Sequence, residues 1–495
     1  MVEVVWSIRG RSNRDIITPE FMTKIARAIS AAVILNISGD DLSKNNIITS
    51  DILSNYSNRS TKKKIIIGKD TRLSGYMLEY ALTAGFISMG IDVILAGPMP
   101  TAGIAMLVKS LRADGGIIIS ASHNPYYDNG IKVFNNQGFK ISHQQQNQIE
   151  YIVKNIDLSS YNQSYDNIGK ASKLGDEQGR YIEYIKSFFP KDLNMKGLKI
   201  VLDTANGAAY EIAPKVFSEL GADIITINNS PNGVNINANC GVCCLDNLKQ
   251  QVACYKADMG IAFDGDADRL IIIDEKGGIV DGDKIIGLIA EHMYKENILS
   301  SNKIITTVMS NTGLDQYLEK YNIEVIKTKV GDKHVISKML ETNSNLGGEK
   351  SGHVIIDNDI GSGDGLKTAI YMINIFLRKR KEQSIDYSNN LFKFSDLFKD
   401  FYLLPQINTN IEYDYKFFGK DIINQSLLED IKKQLIDEYM NIISQDDYRI
   451  VLRPSGTENF IRLMIEIKDR KIGEMMQLTF KKIINKKLEQ DNLVG

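Results

Sequence analysis

The order strand, helix, strand, written three times at wide intervals, constrains this chain more than any other feature. Lys64-Ile65-Ile66-Ile67 reads as a short apolar strand; a helical stretch runs from Tyr76 to Met89, Gly90 ends it, and Ile91 to Leu95 is the next strand. The order recurs from Lys199–Leu202 through Ala208–Leu220 to Asp223–Ile227. It recurs again from Ile304–Val308 through Gly313–Lys320 to Ile323–Ile326. A helix between two such strands within ~30 residues is a βαβ unit, whose strands are parallel and covered on both faces. Three units predict three related α/β domains with mixed, mostly parallel sheets.

The end of the chain breaks the pattern. Tyr448–Leu452 and Ile461–Ile467 read as strands flanking a turn, with a helix from Gly473 to Leu488, which predicts a smaller C-terminal α+β domain. A polar connection at Ser384–Asn390 precedes it. The expected domains are residues 1–165, 166–271, 272–390 and 391–495. Near the start, Thr18 and Pro19 suit the N-cap and first position of a helix with the stripe Phe21, Ile25, Ala28, Ile29 and Ala32. Asn36–Lys63, rich in Ser, Asn and Asp, reads as an exposed insertion.

Composition bears on partners. Lys and Arg number 59 against 61 Asp and Glu, so no global field recruits nucleic acid or anionic lipid, and an anionic ligand needs a local site. No apolar run reaches the ~18 residues of a membrane span, and the charged N-terminus lacks a signal-peptide core. The four cysteines are therefore expected as reduced, buried thiols in a cytoplasmic protein, and Cys240, Cys243, Cys244 and Cys254 lack the paired spacing of structural zinc.

Four segments carry chemistry. Asp264-Gly265-Asp266-Ala267-Asp268-Arg269 follows the apolar Met259–Phe263, and three alternate carboxylates can converge on one hard cation. An EF-hand competes, since Glu275 falls at loop position twelve, but Arg269 stands where that loop needs glycine and both flanks read as strand. Ser120-Ala121-Ser122-His123-Asn124-Pro125 places a hydroxyl and an imidazole on one loop, with Lys132 downstream. No Gly-x-Ser-x-Gly elbow surrounds Ser122, which disfavours a serine hydrolase and leaves a structural turn as the plain alternative. Arg453-Pro454-Ser455-Gly456-Thr457 offers a guanidinium fork, two hydroxyls and open backbone amides to an anion, or is simply a glycine turn. Gly347-Gly348-Glu349-Lys350-Ser351-Gly352-His353 sets a carboxylate, a hydroxyl and an imidazole between glycines, a set that matches the hydroxyls or amine of a sugar ring.

With these four segments in this order, the chain resembles the α-D-phosphohexomutases from Ile8 to Glu466. Further segments sharpen the likeness toward members acting on amino-sugar phosphates: Gly68-Lys69-Asp70-Thr71-Arg72-Leu73-Ser74-Gly75, Gly97-Pro98-Met99-Pro100-Thr101, Arg112-Ala113-Asp114, Asn235-Ile236-Asn237, Cys240-Gly241 and Val330-Gly331-Asp332. Ala102, Cys243-Cys244, His334 and Asn459 depart from the usual pattern. The resemblance implies four domains around a central cleft, each giving one loop. It makes Ser122 a phosphoserine and Asp264, Asp266, Asp268 and that phosphate the ligands of one Mg²⁺. It places Arg9, His123, Lys132 and Arg269 at the reacting centre. Glu349, Ser351 and His353 then meet the sugar, and Arg453, Ser455, Gly456 and Thr457 the non-reacting phosphate. The implied reaction interconverts hexosamine 6- and 1-phosphates, with a sugar 1,6-bisphosphate as activator; a homodimer is compatible with it. A glucose or mannose phosphate mutase, and a non-catalytic sugar-phosphate binder, share the same motifs.

Overall fold

Four β-sheets follow one another along the chain in the computed structural model, which describes residues 8–34, 62–158, 162–357, 359–384, 392–412, 425–444, 447–454 and 460–492. The expected insertion at Asn36–Lys63 lies outside these residues except for its last two.

The first sheet has six strands in the spatial order Ile8–Arg11, Asp128–Asn135, Gly115–Ile119, Lys64–Lys69, Asp92–Pro98 and Ala171–Lys173. Its central strands are parallel and its first two pairings antiparallel. The β-branched runs Ile65–Ile67 and Ile117–Ile119 are fully buried, as the doubly covered reading requires. One face packs on the helices Pro19–Ile29 and Ser74–Ser88, and the other on Thr101–Ser110. Thr18 caps the first of these helices by accepting from Phe21 N at 3.3 Å.

The second sheet orders Ile279–Val280, Leu270–Asp274, Met259–Phe263, Lys199–Asp203 and Asp223–Ile227; the third orders Glu324–Thr328, Lys303–Thr307, Leu346–Gly348 and Val354–Ile356. In both, the pairs expected from the βαβ units are parallel. Two expected boundaries fall early. Ala171–Lys173 pairs with Val93–Leu95 of the first sheet, and Leu270–Val280 stays in the second. The first of these segments is short and wholly exposed, so it carries no apolar signal.

The last sheet is antiparallel, with Phe460–Ile467 between Gln406–Glu412 and Tyr448–Pro454, and the helices Gln425–Asp437 and Arg470–Asn492 cover it. The first three sheets share one continuous apolar core, while the last has its own. Among the described residues no helix is long and apolar enough to cross a membrane. All four cysteines are free; Cys240 is buried as expected, whereas Cys243 and Cys254 are exposed.

Candidate active site

Strand Gly115–Ile119 ends at the carboxyl edge of the first sheet and delivers Ser120–Pro125 into the cleft, the usual placement for ligand loops of open α/β sheets. Ser122 is buried and takes a left-handed backbone (φ 52°), which a non-glycine residue adopts only when its surroundings enforce it. Arg72, with no exposed surface, does the enforcing. Its Nη2 donates to the carbonyls of Ser122 at 2.9 Å and Asn124 at 2.8 Å. Its Nη1 donates to those of Asp128 at 3.0 Å and Pro125, and its Nε to Asp70 Oδ2 at 2.7 Å. Burial raises the Asp70 pKa, with Arg72 pulling the other way. Asp70 also accepts from Ser120 Oγ at 2.8 Å, and that oxygen accepts from Ser122 N at 2.8 Å. From the second domain, Asn237 Nδ2 donates to the same Ser122 carbonyl at 2.9 Å.

Strand Met259–Phe263 delivers the acidic loop to this point. Asp264, Asp266 and Asp268 are all buried, and one carboxylate oxygen of each lies within 4.8 Å of the others. Ser122 Oγ donates to Asp264 Oδ2 at 2.6 Å. Lys132 Nζ bridges Asp266 Oδ2 at 2.6 Å and Asp268 Oδ2 at 2.7 Å, and Thr101 Oγ1 donates to Asp266 Oδ2 at 2.6 Å. The loop can come this close only because residue 265 is glycine: a Cβ there would stand 2.7 Å from the Ser122 carbonyl oxygen. Burial, then the charges of Asp268 and Asp266, raise the Asp264 pKa well above the usual range. For Asp268, burial acts in the same upward sense, but Lys132 and His353 outweigh it and hold the carboxyl well below that range. Asp266 Oδ1 is buried with no hydrogen-bond partner. Three converging carboxylates with an unused buried oxygen form a hard, oxygen-only donor set, which fits a divalent cation of the Mg²⁺ type.

Around this pair of loops lies a cavity of about 840 Å³ lined by Arg9, Ser122, Lys132, Arg269, Glu349 and His353. A second, of about 370 Å³, adjoins it through Arg269 and Glu349 and adds His123, Ser351 and Arg453. The fold thus gathers the expected residues that are described into one cleft. Burial opposes the charge on Lys132, but its two carboxylate partners raise its pKa, so it is an ammonium. Burial, with Arg269 and Arg9 nearby, pushes His123 down to about 4, and the ring is neutral at pH 7. Arg9 Nη1 donates to Asn124 Oδ1 at 3.3 Å. Glu349 Oε1 accepts from Gly331 N at 3.0 Å. His353, expected at the sugar, is 3% exposed: its Nε2 accepts from Gly363 N at 3.1 Å and its Nδ1 lies 3.5 Å from Asp268 Oδ1. In this geometry it backs a carboxylate of the acidic cluster. Ser455, Gly456, Thr457 and Asn459 lie outside the described residues.

Sequence reasoning named no role for Arg72, Asp70, Thr101 or Asn237. All four sit in segments that marked the family likeness, so a signal existed. Its meaning did not, because Arg72, Thr101 and Asn237 act on carbonyls and carboxylates far away in the chain, and Asp70 acts through Arg72 and the distant Ser120.

Comparison with known proteins bears on the whole chain. Four family profiles match in order: phosphoglucomutase/phosphomannomutase alpha/beta/alpha domain I over residues 43–160, domain II over 179–278, domain III over 281–393, and the C-terminal domain over 426–481. A phosphoglucosamine mutase of Thermodesulfovibrio yellowstonii is 47% identical over 82% of this chain and 86% of its own. One of Zymomonas mobilis is 42% identical over 93% of this chain and 94% of its own. Among solved structures, a phosphoglucomutase/phosphomannomutase family protein of Burkholderia thailandensis superposes with TM-score 0.72 at 22% identity, covering 97% of this chain and 96% of that one. An Aspergillus fumigatus N-acetylphosphoglucosamine mutase, solved with GlcNAc-6P and magnesium, superposes with TM-score 0.57 at 17% identity over 78% of this chain and 92% of that one.

Proposed function

This chain belongs to the phosphoglucomutase/phosphomannomutase family, and from that premise we infer that it is an isomerase interconverting glucosamine 6-phosphate and glucosamine 1-phosphate by phosphoryl transfer. The observation that carries the mechanism is the Ser122 hydroxyl, 2.6 Å from Asp264, on the wall of the larger of the two adjoining cavities. The product is the form needed for amino-sugar nucleotide synthesis in the cytoplasm.

In the working enzyme Ser122 carries a phosphoryl group. A free hydroxyl of the sugar phosphate attacks that phosphorus, the bond to Ser122 Oγ breaks, and the hydroxyl proton ends on Oγ. The sugar bisphosphate then turns over, and its other phosphoryl group returns to Ser122, releasing the isomer. A sugar 1,6-bisphosphate from outside primes Ser122 by the same transfer. Lys132, fixed as an ammonium, supplies positive charge beside the moving group, with Arg9 and Arg269 on the same cavity wall. Asp264, Asp266, Asp268 and the phosphoserine would hold a Mg²⁺, which would neutralise charge on the transferring group. Glu349 and Ser351 orient the sugar, while Arg453 with Ser455, Gly456 and Thr457 holds whichever phosphate is not reacting. His123 is neutral at pH 7 and lines the smaller cavity.

The test measures kcat/KM for glucosamine, glucose and mannose 6-phosphates, each with its matching bisphosphate. Glu349 meets the 2-ammonium of glucosamine with a charge-assisted bond, so glucosamine should lead by roughly ten- to thirty-fold. Equal or better turnover of another sugar overturns the preference. Intact mass tests the chemistry separately: a fraction of the wild type should carry one added phosphate that Ser122→Ala lacks, and the same addition in the variant would move the covalent site elsewhere.

A further inference from the structure

One face of the C-terminal sheet does two jobs along its length. Side chains of a strand alternate between faces, so Gln406, Asn408 and Asn410 share a face with Glu466, Met464 and Arg462 and with Arg449, Val451 and Arg453. The register makes three cross-strand rows: Gln406–Glu466–Arg449, Asn408–Met464–Val451 and Asn410–Arg462–Arg453. The second and third rows line the cavity that holds Glu349. The first row docks on the third domain.

That docking is dense. Glu466 is 1% exposed and accepts from Thr312 N at 3.0 Å, Arg449 Nη2 at 3.0 Å and Gln406 Nε2 at 2.5 Å. Arg449 also donates to the carbonyls of Val308 at 2.9 Å and Ser310, and Gln406 Nε2 to that of Met309 at 3.2 Å. Segment Val308–Thr312 follows directly on strand Lys303–Thr307, so the first row grips a rigid part of the third domain. Gln406 has one polar atom left, Oε1, which accepts from Lys350 Nζ. Lys350 stands between Glu349 and Ser351 in the sugar loop. A single side chain therefore joins that loop to the row that anchors the sheet, and Arg453 lies four residues beyond Arg449, about 13 Å along the same strand.

We propose that Gln406 is a positioning residue: it locks the sugar loop to the C-terminal sheet at the separation that lets Glu349 and Arg453 hold the two ends of one hexose phosphate. The proposal rests on the sugar-phosphate reading above but not on which sugar is preferred. Gln406 touches neither end of the substrate; its contribution is the fixed span between two groups that do. A binding site assembled from two domains is sensitive to that span, since small misplacements of binding groups cost large factors in productive binding.

Gln406→Met keeps the side-chain length and removes both amide functions. With the best hexose phosphate as substrate, KM should rise at least about fivefold in both directions while kcat stays within about twofold, the pattern of lost uniform binding. Competitive inhibition by inorganic phosphate should stay within about twofold, because that ligand spans nothing. An unchanged KM, or equal losses of hexose phosphate and inorganic phosphate binding, overturns the proposal. Lys350→Met cuts the same link from the loop side and carries the test if Gln406→Met does not fold. Where both fold, the double variant should be no worse than the more impaired single one, and additive losses would show that the two residues act separately. A wild type that prefers glucose phosphate defeats the glucosamine assignment alone; the span is then judged with glucose phosphate.

Discussion

Arg72 Nη2 donates to the backbone carbonyl of Ser122 at 2.9 Å, and this contact ties a buried cation to the one left-handed residue of the nucleophile loop. The rest of the guanidinium is spent on three further carbonyls and Asp70, so the loop geometry is written into a planar fork that an ammonium cannot copy.

Arg72→Lys should therefore lower kcat about 100-fold through misplacement of Ser122 Oγ, with little change in KM. It should also cost about 3–5 kcal/mol of stability, because Asp70 and several carbonyls lose buried partners. Thermal unfolding and steady-state kinetics on the same sample check both. Near-normal kcat would show that Asn237 and the Asp264 loop suffice to hold Ser122.

Asp266→Asn removes a carboxylate that Lys132 and Thr101 both engage. The half-saturating Mg²⁺ concentration for activity should rise about tenfold as one of three ligand charges is lost. An unaltered Mg²⁺ titration would place the ion away from this cluster.

What the sequence made legible was whatever depends on neighbours in the chain. The apolar runs of the βαβ units, the N-cap at Thr18 and the alternating carboxylates of Asp264–Asp268 announce strands, a helix start and a cation site from local pattern alone. Strand Gln406–Glu412 went unread because asparagines on its cavity face lower its β-propensity. The roles of Arg72, Thr101 and Gln406 could not be read at all. Each acts on groups that are distant in the chain, and a polar side chain carries no local mark of such a partner.

Arg453 stands directly across the strand pair from Arg462, and the two cations face the cavity shared with Glu349. Burial, then the charge of Arg462, lowers the Arg453 pKa, against the opposing charge of Glu349. Arg453→Lys should raise KM for the 1- and the 6-phosphate alike, by about tenfold, because the bidentate fork is lost for the phosphate that each presents here. Loss in one direction only would mean that the two phosphates bind at different places.

Asp283 supplies a pH dependence of stability. It lies in the first turn of helix Gly282–Lys295 with no exposed surface; its Oδ2 accepts from Asn311 N at 2.9 Å and its Oδ1 has no partner. Burial, then the neighbouring charge of Asp281, raises its pKa to about 7, against the opposing Asn311 amide. The unfolded chain ionises this carboxyl near pH ~4, so between there and 7 the folded state binds the extra proton. Stability from this group is accordingly present at low pH and lost as pH rises toward 7, by an amount on the order of a few kcal/mol. Asp283→Asn is neutral throughout and keeps an acceptor for Asn311. It should unfold at a higher temperature than wild type at pH 8, match it near pH 4, and show a flatter Tm profile between. Parallel profiles for the two proteins would mean that Asp283 is already ionised in the fold at pH 5.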